Sequence, residues 1–323
     1  LERAVCSRYL DSQTTRVVLM VKILYTSGNG VFEEAKYSPG KLDAQDIHVR
    51  AVMTGVCRSD IAMMNGDFGP LPIHMQGHEG LAQVMAVGSG VSGVQPGDYV
   101  ATRGEPAYAD EYHVKPEQWV VVPAADPKWI LEPVACGVNC VLQARHAIAL
   151  QTTTTPLPRA CIIGSGFLAK IVLRTFAILF PDISVDVIGK SNEEWFGDQG
   201  HSLLIDFDGT YDIIVDLKED DRVFNTDCIN ENAIIIMATE KPEGIDTTLA
   251  NMLWKAVTMI FPSPRAPTFY EAMICARNWQ LDGKLVLDNF WDRSYNRTTE
   301  WQQAFEDANN RVGNYGRGYI QWD

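Results

Sequence analysis

The chain has 323 residues, of which 46% are hydrophobic, which is enough for about two domains of ordinary globular composition. Its formal net charge of −14 argues against a nucleic-acid-binding protein and against binding to an anionic membrane surface. Seven cysteines without a C-x-x-C motif argue against a disulfide framework and favour a reducing compartment, so we expect a cytoplasmic protein. We expect residues 1–19, which precede the first strand pattern, to be a poorly ordered extension.

The first part of the chain has the pattern of short strands separated by turns. Residues 47–53 alternate apolar and polar side chains, as a half-buried strand does. The stretches 27–30 and 38–41 have turn composition. This pattern predicts a small antiparallel β-barrel.

A cysteine, a histidine and a carboxylate follow this predicted barrel strand. Cys57 and His78 are ligand types that zinc prefers, and Glu79 adds an oxygen. A catalytic zinc needs three protein ligands and an open position, which these residue types can supply. The structural alternative is a small buried cysteine together with a satisfied His–Glu pair.

Four short motifs in a fixed order resemble the medium-chain zinc-dependent alcohol dehydrogenase family. They are Cys57-Arg58-Ser59-Asp60, Gly77-His78-Glu79-Gly80, Val87-Gly88-Ser89-Gly90-Val91 and Gly97-Asp98-Tyr99-Val100. The resemblance covers the chain from about Met20 onward. It implies an α/β protein with a GroES-like β-barrel catalytic domain and a Rossmann doubly wound parallel sheet. It also implies a homodimer formed through the Rossmann domain, or a homotetramer.

The resemblance implies one catalytic zinc and no structural zinc. Cys57 and His78 match family ligands, with Glu79 beside them. Glu132-Pro133 resembles the motif of the polyol dehydrogenase branch, in which the Glu is the remaining ligand or holds the zinc-bound water. Cys136 is the alternative to Glu132. The lobe with four cysteines that binds a structural zinc in some relatives is lacking, since no cysteine occurs between positions 58 and 135.

The same resemblance implies roles for two residues next to Cys57, Ser59 and Arg58. Ser59 is expected to pass the substrate proton away from the zinc, and the alternative is a simple cap for a helix starting near Asp60. Ala62 stands where family members often carry a proton-relaying His, so the route would end at cofactor hydroxyls or water. Arg58 is expected to meet the cofactor pyrophosphate.

A dinucleotide fingerprint follows in the second half of the chain. Residues 159–163 form a short apolar strand, followed by G-x-G-x-x-A and a helical run. Gly164 makes the turn and Gly166 lets the backbone approach the pyrophosphate, which would lie at the helix N-terminus formed by Phe167 and Leu168. Later strand patterns alternate with helical ones, which predicts a doubly wound parallel sheet.

The residues after the next predicted strand favour NADP(H) over NAD(H). This strand, 183–188, does not end in the carboxylate that binds the ribose 2′-hydroxyl in NAD sites. Lys190 and Ser191 follow it instead, and both side chains can bind a 2′-phosphate. The alternative is that Lys190 is a solvated loop residue.

The domain boundaries follow from these patterns. We predict a catalytic domain at 20–148 and 284–323, with the Rossmann domain at 149–283. The low-complexity stretch Gln151-Thr152-Thr153-Thr154-Thr155-Pro156 is expected to link them and to end a helix near Ala149.

The predicted function is that of a zinc-dependent oxidoreductase. It would transfer a hydride between NADP(H) and a small-molecule alcohol, aldehyde or ketone, without a nucleic-acid or membrane partner. One alternative is a zinc-free, NADPH-dependent quinone or enone reductase. The other is a non-catalytic dinucleotide-binding protein, since fold alone does not establish catalysis.

Overall fold

The computed structural model describes residues 19–218, 220–239, 249–311 and 315–322. Apart from Leu19, the expected N-terminal extension lies outside these residues. No helix within the described ranges is long and apolar enough to cross a membrane. The chain divides into two compact units, unit 1 (Leu1–Glu132 with Leu287–Asp323) and unit 2 (Pro133–Val286).

Strands and helices are numbered along the described residues. The strands are β1 (Val21–Tyr25), β2 (Glu33–Tyr37), β3 (Ile47–Gly55), β4 (Gly80–Val87), β5 (Tyr99–Thr102), β6 (Glu111–Val114), β7 (Trp119–Val122), β8 (Arg159–Ile163), β9 (Ser184–Ile188), β10 (Leu203–Leu204), β11 (Tyr211–Asp216), β12 (Ile229–Met237), β13 (Thr258–Ile260), β14 (Arg293–Asn296) and β15 (Gly318–Gln321). The helices are α1 (Arg58–Asn65), α2 (Glu132–Thr154), α3 (Phe167–Leu179), α4 (Glu193–Asp198), α5 (Leu249–Trp254), α6 (Thr268–Leu281) and α7 (Trp301–Asn310).

Unit 1 is built on a mainly antiparallel seven-stranded sheet. Its strand order is β14-β15-β3-β4-β5-β7, with β6 also paired to β3, and β1 and β2 form a separate hairpin-like pair. The central strand β3 buries Ile47, Val49 and Ala51 in the unit 1 core, so the alternation in its sequence is confirmed. β3 ends at Gly55, directly before the candidate ligand Cys57.

Unit 2 contains the predicted doubly wound sheet. Its order is β10-β9-β8-β11-β12-β13 and every pair is parallel. This order is that of a dinucleotide-binding Rossmann sheet, with β8 as the first strand. Ala160 and Ile162 of β8 pack in one apolar core, whereas Cys161 and Ile163 pack in another. Both faces of the sheet are therefore covered, as parallel sheets require.

The predicted end of a helix near Ala149 is wrong. Helix α2 continues to Thr154. The hydroxyl of Thr152 donates to the carbonyl of Ala149, and that of Thr153 donates to the carbonyl of Leu150, at 2.8 and 2.7 Å. These bonds satisfy the hydroxyls within the helix, so the threonine run does not break it.

Candidate active site

The start of α1 fixes the position of Cys57. Cys57 is the N-cap of α1, in extended conformation, and its backbone N–H donates to the Asp60 carboxylate at 2.8 Å. Asp60 is fully buried and also accepts a hydrogen bond from the hydroxyl of Tyr108 at 2.8 Å. Ser59 lies in the first turn and is not the cap, so the cap interpretation of this residue is wrong.

The backbone before β4 brings His78 to the same place. Gly77 has φ +73°, and a Cβ on it would lie 2.6 Å from the ring of Tyr108. Only glycine fits this conformation and this contact. Tyr108 therefore packs under the His78 turn while its hydroxyl holds Asp60, which couples the two segments.

Cys57, His78 and Glu79 form a cluster of potential metal ligands. One ligand atom from each lies within 4.8 Å of the other two. Nδ1 of His78 lies 3.8 Å from Oδ1 of Asp60, and its Nε2 lies 3.4 Å from Oγ of Ser59. A carboxylate behind an imidazole is the arrangement that orients histidine ligands in metal sites.

A largely buried arginine, Arg317, balances part of the charge of Glu79. Glu79 is fully buried, and Nη2 of Arg317 donates to its Oε1. Backbone N–H groups of Gly316 and Arg317 donate to the Asp292 carboxylate at 2.8 and 2.9 Å, which fixes this segment. A Cβ on Gly55 would lie 2.1 Å from Oε2 of Glu79, so a side chain at position 55 would displace the carboxylate.

Glu132 lies outside the cluster of three but belongs to the same charged environment. It is the first residue of α2 and is 2% exposed. Burial raises the pKa of Glu132, while the nearby His78 acts in the opposite direction. Cys136, one helical turn later, lies in unit 2 and is not part of the cluster.

The buried charges around His78 suit a cation. Burial by itself would lower the pKa of His78, but the carboxylates of Asp60 and Glu132 outweigh it and hold this pKa well above its usual value. Within the described residues, Oδ1 of Asp60 and Oε2 of Glu79 are buried without a hydrogen-bond partner. Buried oxygens without partners are rare, and a cation held close to them by sulfur, nitrogen and oxygen ligands would balance their charge. The residues therefore fit a zinc ion.

Two guanidinium groups add positive charge beside Cys57. The pKa of Arg311 is lowered, first by burial and then by the charge of Arg58. Neither arginine makes an ion pair within the described part of the chain. Such a pair suits a phosphate group. A phosphate contact of Arg58 was expected from the sequence, whereas no role was expected for Arg311, the C-cap of α7.

The predicted cofactor loop has the expected backbone in unit 2. Gly164 has φ +116°, Gly166 is the N-cap of α3, and Phe167 and Leu168 are its first two residues. The hydroxyl of Ser165 accepts a hydrogen bond from the backbone N–H of Ser191 at 2.9 Å. Ser191 therefore holds the glycine loop to the end of β9, and its predicted contact with a 2′-phosphate stays a prediction.

A cavity of about 270 Å³ adjoins the ends of β8 and β9. Lys190, Lys218 and Arg222 line it together with Asp206 and Asp220. The Arg222 guanidinium donates hydrogen bonds to Asp206 and Asp220. Lys190 and Lys218 make no ion pair within the described residues. Lys218 follows β11, which the strand order places next to β8, so a reading of the linear sequence has no signal for it.

Comparisons with known proteins agree with this architecture. The model of the alcohol dehydrogenase GroES-like domain family matches residues 43–124. The mitochondrial enoyl-acyl-carrier-protein reductase of Bos taurus is 38% identical over 97 residues, which is 29% of this chain and 26% of that protein. Aldehyde reductase AdhA of Synechocystis is 35% identical over 89 residues, which is 26% of each chain. The aligned part thus spans about a quarter of the length of these curated relatives.

A solved structure extends the likeness of fold to nearly the whole chain. Alcohol dehydrogenase TADH from Thermus sp. ATN1 superimposes with a TM-score of 0.74 and 14% sequence identity. The superposition covers 94% of this chain and 100% of that one. These findings do not single out the polyol branch that Glu132-Pro133 suggested.

Proposed function

We propose that this chain, which has the GroES-like domain and the fold of the medium-chain dehydrogenase/reductase family, is a zinc-dependent oxidoreductase. It would interconvert an alcohol and an aldehyde or ketone with NADP(H). The observation that carries this proposal is the cluster of Cys57, His78 and Glu79. Their ligand atoms lie within 4.8 Å of one another, beside buried carboxylate oxygens that have no hydrogen-bond partner among the described residues.

In this proposal Cys57 and His78 hold the zinc, and Glu132 provides the oxygen ligand. Glu79 is the less suitable carboxylate because Arg317 already balances its charge. Glu132 is buried with a raised pKa, so a nearby cation would favour its ionised form. When bound, zinc polarises the substrate oxygen as a Lewis acid and NADPH supplies the hydride.

Ser59 is proposed to handle the proton of the reaction. Its hydroxyl can donate and accept at once, and it lies 3.4 Å from His78, beside the proposed ligands. The buried Asp60 carboxylate, whose Oδ1 lies 3.8 Å from Nδ1 of His78, is proposed to stabilise this ring through its charge. Ala62 offers no relay group, so the proton would continue to water or to cofactor hydroxyls.

The cofactor preference is proposed from the basic cavity of unit 2. No carboxylate ends β9, and Lys190 and Lys218 both line the cavity beside the glycine loop. Two ammonium groups there would attract a 2′-phosphate, which NADPH has and NADH lacks. Arg58 and Arg311 are proposed to bind phosphate groups of the same cofactor.

Substitution of each carboxylate tests the ligand set. Glu132→Gln should lower the zinc content at least tenfold, as measured by elemental analysis after dialysis, whereas Glu79→Gln should retain zinc. Cys57→Ser should lose both zinc and turnover, and Cys275→Ser is the matched control. Full zinc content in Cys57→Ser would contradict the site.

A zinc-free enone reductase is the second candidate. The observation that favours it is the 38% identity with an enoyl-acyl-carrier-protein reductase over 97 residues of this chain. The two candidates differ in one measurement, because a zinc-free reductase would reduce an activated alkene with NADPH after complete removal of metal.

The chain is also proposed to form a homodimer through unit 2. β13 is the outer strand of the six-stranded sheet, so it can pair with its own copy across a twofold axis. Close to it, Leu253 and Trp254 are 75% and 83% exposed, and Phe261 is 57% exposed. Exposed apolar groups beside a free strand edge are typical of an interface.

A further inference from the structure

The outer face of the unit 1 sheet carries a pair of histidines outside the candidate active site. β3 and β6 pair antiparallel, with His48 directly opposite His113. Their sequence neighbours Ile47, Val49 and Tyr112 are fully buried on the core side. Because side chains alternate across a strand, both imidazoles lie on the other face of the sheet.

The distance between these two rings suits a shared metal ion. Their centroids lie 5.1 Å apart with an interplanar angle of 71°. Zinc–nitrogen bonds of ~2.0 Å place the centres of two imidazoles on one tetrahedral ion about 5 Å apart. The two centroids therefore already have the separation that a shared ion requires.

Glu111 prepares His48 for such a role. Nε2 of His48 lies 3.0 Å from Oε2 of Glu111, and the carboxylate selects the tautomer with the proton on Nε2. Nδ1 then keeps its lone pair, which a metal can accept. A ligating histidine commonly donates its other N–H to a carboxylate in this way.

His113 is available as the second ligand. Burial lowers the pKa of His113, which favours the neutral form of its ring. Its ring has no hydrogen-bond partner within the described residues. A neutral imidazole with a free lone pair is the form that binds metals.

The surrounding charge favours a cation. Asp43 and Asp46 lie close enough to His113 to influence its ionisation. The positive charge of Arg50 is balanced by Oε1 of Glu111, which accepts from its Nε and Nη2 at 3.2 and 3.1 Å. The cluster therefore has a net negative charge when both histidines are neutral.

We propose that His48 and His113 form a second, exchangeable binding site for a divalent transition-metal ion on the outer face of the unit 1 sheet. Two imidazole ligands favour borderline ions such as zinc, nickel or cobalt, with water in the remaining positions. With two protein ligands, the site binds more weakly than the cluster at Cys57, and it does not depend on the proposed enzymatic function.

Titration of the metal-free full chain with cobalt(II) tests this proposal. Equilibrium dialysis counts the ions, and absorption shows which ion is bound to sulfur, because only cobalt at Cys57 has a thiolate charge-transfer band. The wild type should bind two ions, of which the weaker lacks that band. His113→Gln and His48→Gln should each lose the weaker ion and keep the sulfur-bound one.

His146→Gln is the matched control, because His146 is an exposed histidine on α2 without a histidine opposite it. This variant should keep both ions, and metal-free variants should unfold at the temperature of the wild type. Saturation of the wild type at one sulfur-bound ion, or retention of the weaker ion in His113→Gln, would overturn the proposal. If the wild type binds only the ion without the thiolate band, this result would contradict the proposed zinc enzyme and still support the histidine site.

Discussion

At the scale of single residues, the ion pair between Glu79 and Arg317 has the largest expected effect on stability. Glu79 is fully buried and the Arg317 side chain is only 13% exposed, so removal of Arg317 leaves a buried carboxylate without its charge partner. Arg317→Met should lower the free energy of unfolding by about 3–5 kcal/mol, the usual cost of breaking a buried pair. Urea unfolding of metal-free protein measures this change.

The double variant is the control for this prediction. Arg317→Met combined with Glu79→Gln removes the uncompensated charge, so it should recover a substantial part of the lost stability. Equal stability of the single and double variants would show that the cost comes from packing of the arginine over Trp291 and not from the charge.

Lys218 is the residue whose substitution tests cofactor discrimination. Lys218→Ala should raise the dissociation constant of NADPH about tenfold, or ~1.4 kcal/mol, which is within the range of one charge-assisted hydrogen bond. Binding of NADH should not change, because it has no 2′-phosphate. Cofactor fluorescence titration measures both, with the exposed Lys284→Ala as control. Equal weakening for both cofactors would contradict a 2′-phosphate contact.

At the scale of elements, Gly137 determines how closely α2 approaches α3. A Cβ at position 137 would lie 2.7 Å from Cβ of Ile171, a branched residue that cannot move away cheaply. Gly137→Ala should therefore lower the free energy of unfolding by about 1–2 kcal/mol, although alanine favours a helix.

Gly197 provides the matched control in another helix. A Cβ at this position of α4 has no atom within 4 Å. Gly197→Ala should therefore raise stability by about 0.5–1 kcal/mol through helix propensity alone. Thermal unfolding of both variants should show shifts of opposite sign, and two shifts of the same sign would contradict the packing explanation.

Elements that depend on local patterns could be predicted from the sequence, whereas contacts that depend on packing could not. The alternation in β3, the strand before Gly164 and the start of α3 could be predicted because they depend on local patterns. Lys218 and Arg311 could not, because they reach their neighbours through strand order and helix packing. The helix break near Ala149 was predicted from composition, whereas the threonine hydroxyls are satisfied inside the helix.

The roles of Asp60 and Arg317 were also missed, for a related reason. Asp60 was part of a recognised motif, but its burial under Tyr108 and its distance of 3.8 Å to His78 depend on tertiary packing. Arg317 lies in the last strand region, far along the chain from Glu79. Long-range charge pairing of this kind has no periodic signal in a single sequence.

At the level of the whole molecule, the proposed homodimer can be tested by substitution among the exposed apolar residues beside β13, which are Leu253, Trp254 and Phe261. The wild type should have the mass of two chains by light scattering at micromolar concentration. Trp254→Ser should shift it toward one chain, because an exposed tryptophan is a common anchor of interfaces. Leu157→Ser, an 80% exposed residue elsewhere in unit 2, is the control. A monomeric wild type would contradict the proposed homodimer.

The proposed reaction depends on the metal at Cys57 and His78. Its most direct test is the rate of NADPH-dependent carbonyl reduction by the same protein as purified, after complete metal removal, and after addition of one equivalent of zinc. We expect activity in the first sample, a loss of roughly 100-fold or more in the second and recovery in the third. Undiminished activity in the metal-free sample would contradict catalytic zinc and favour the zinc-free reductase.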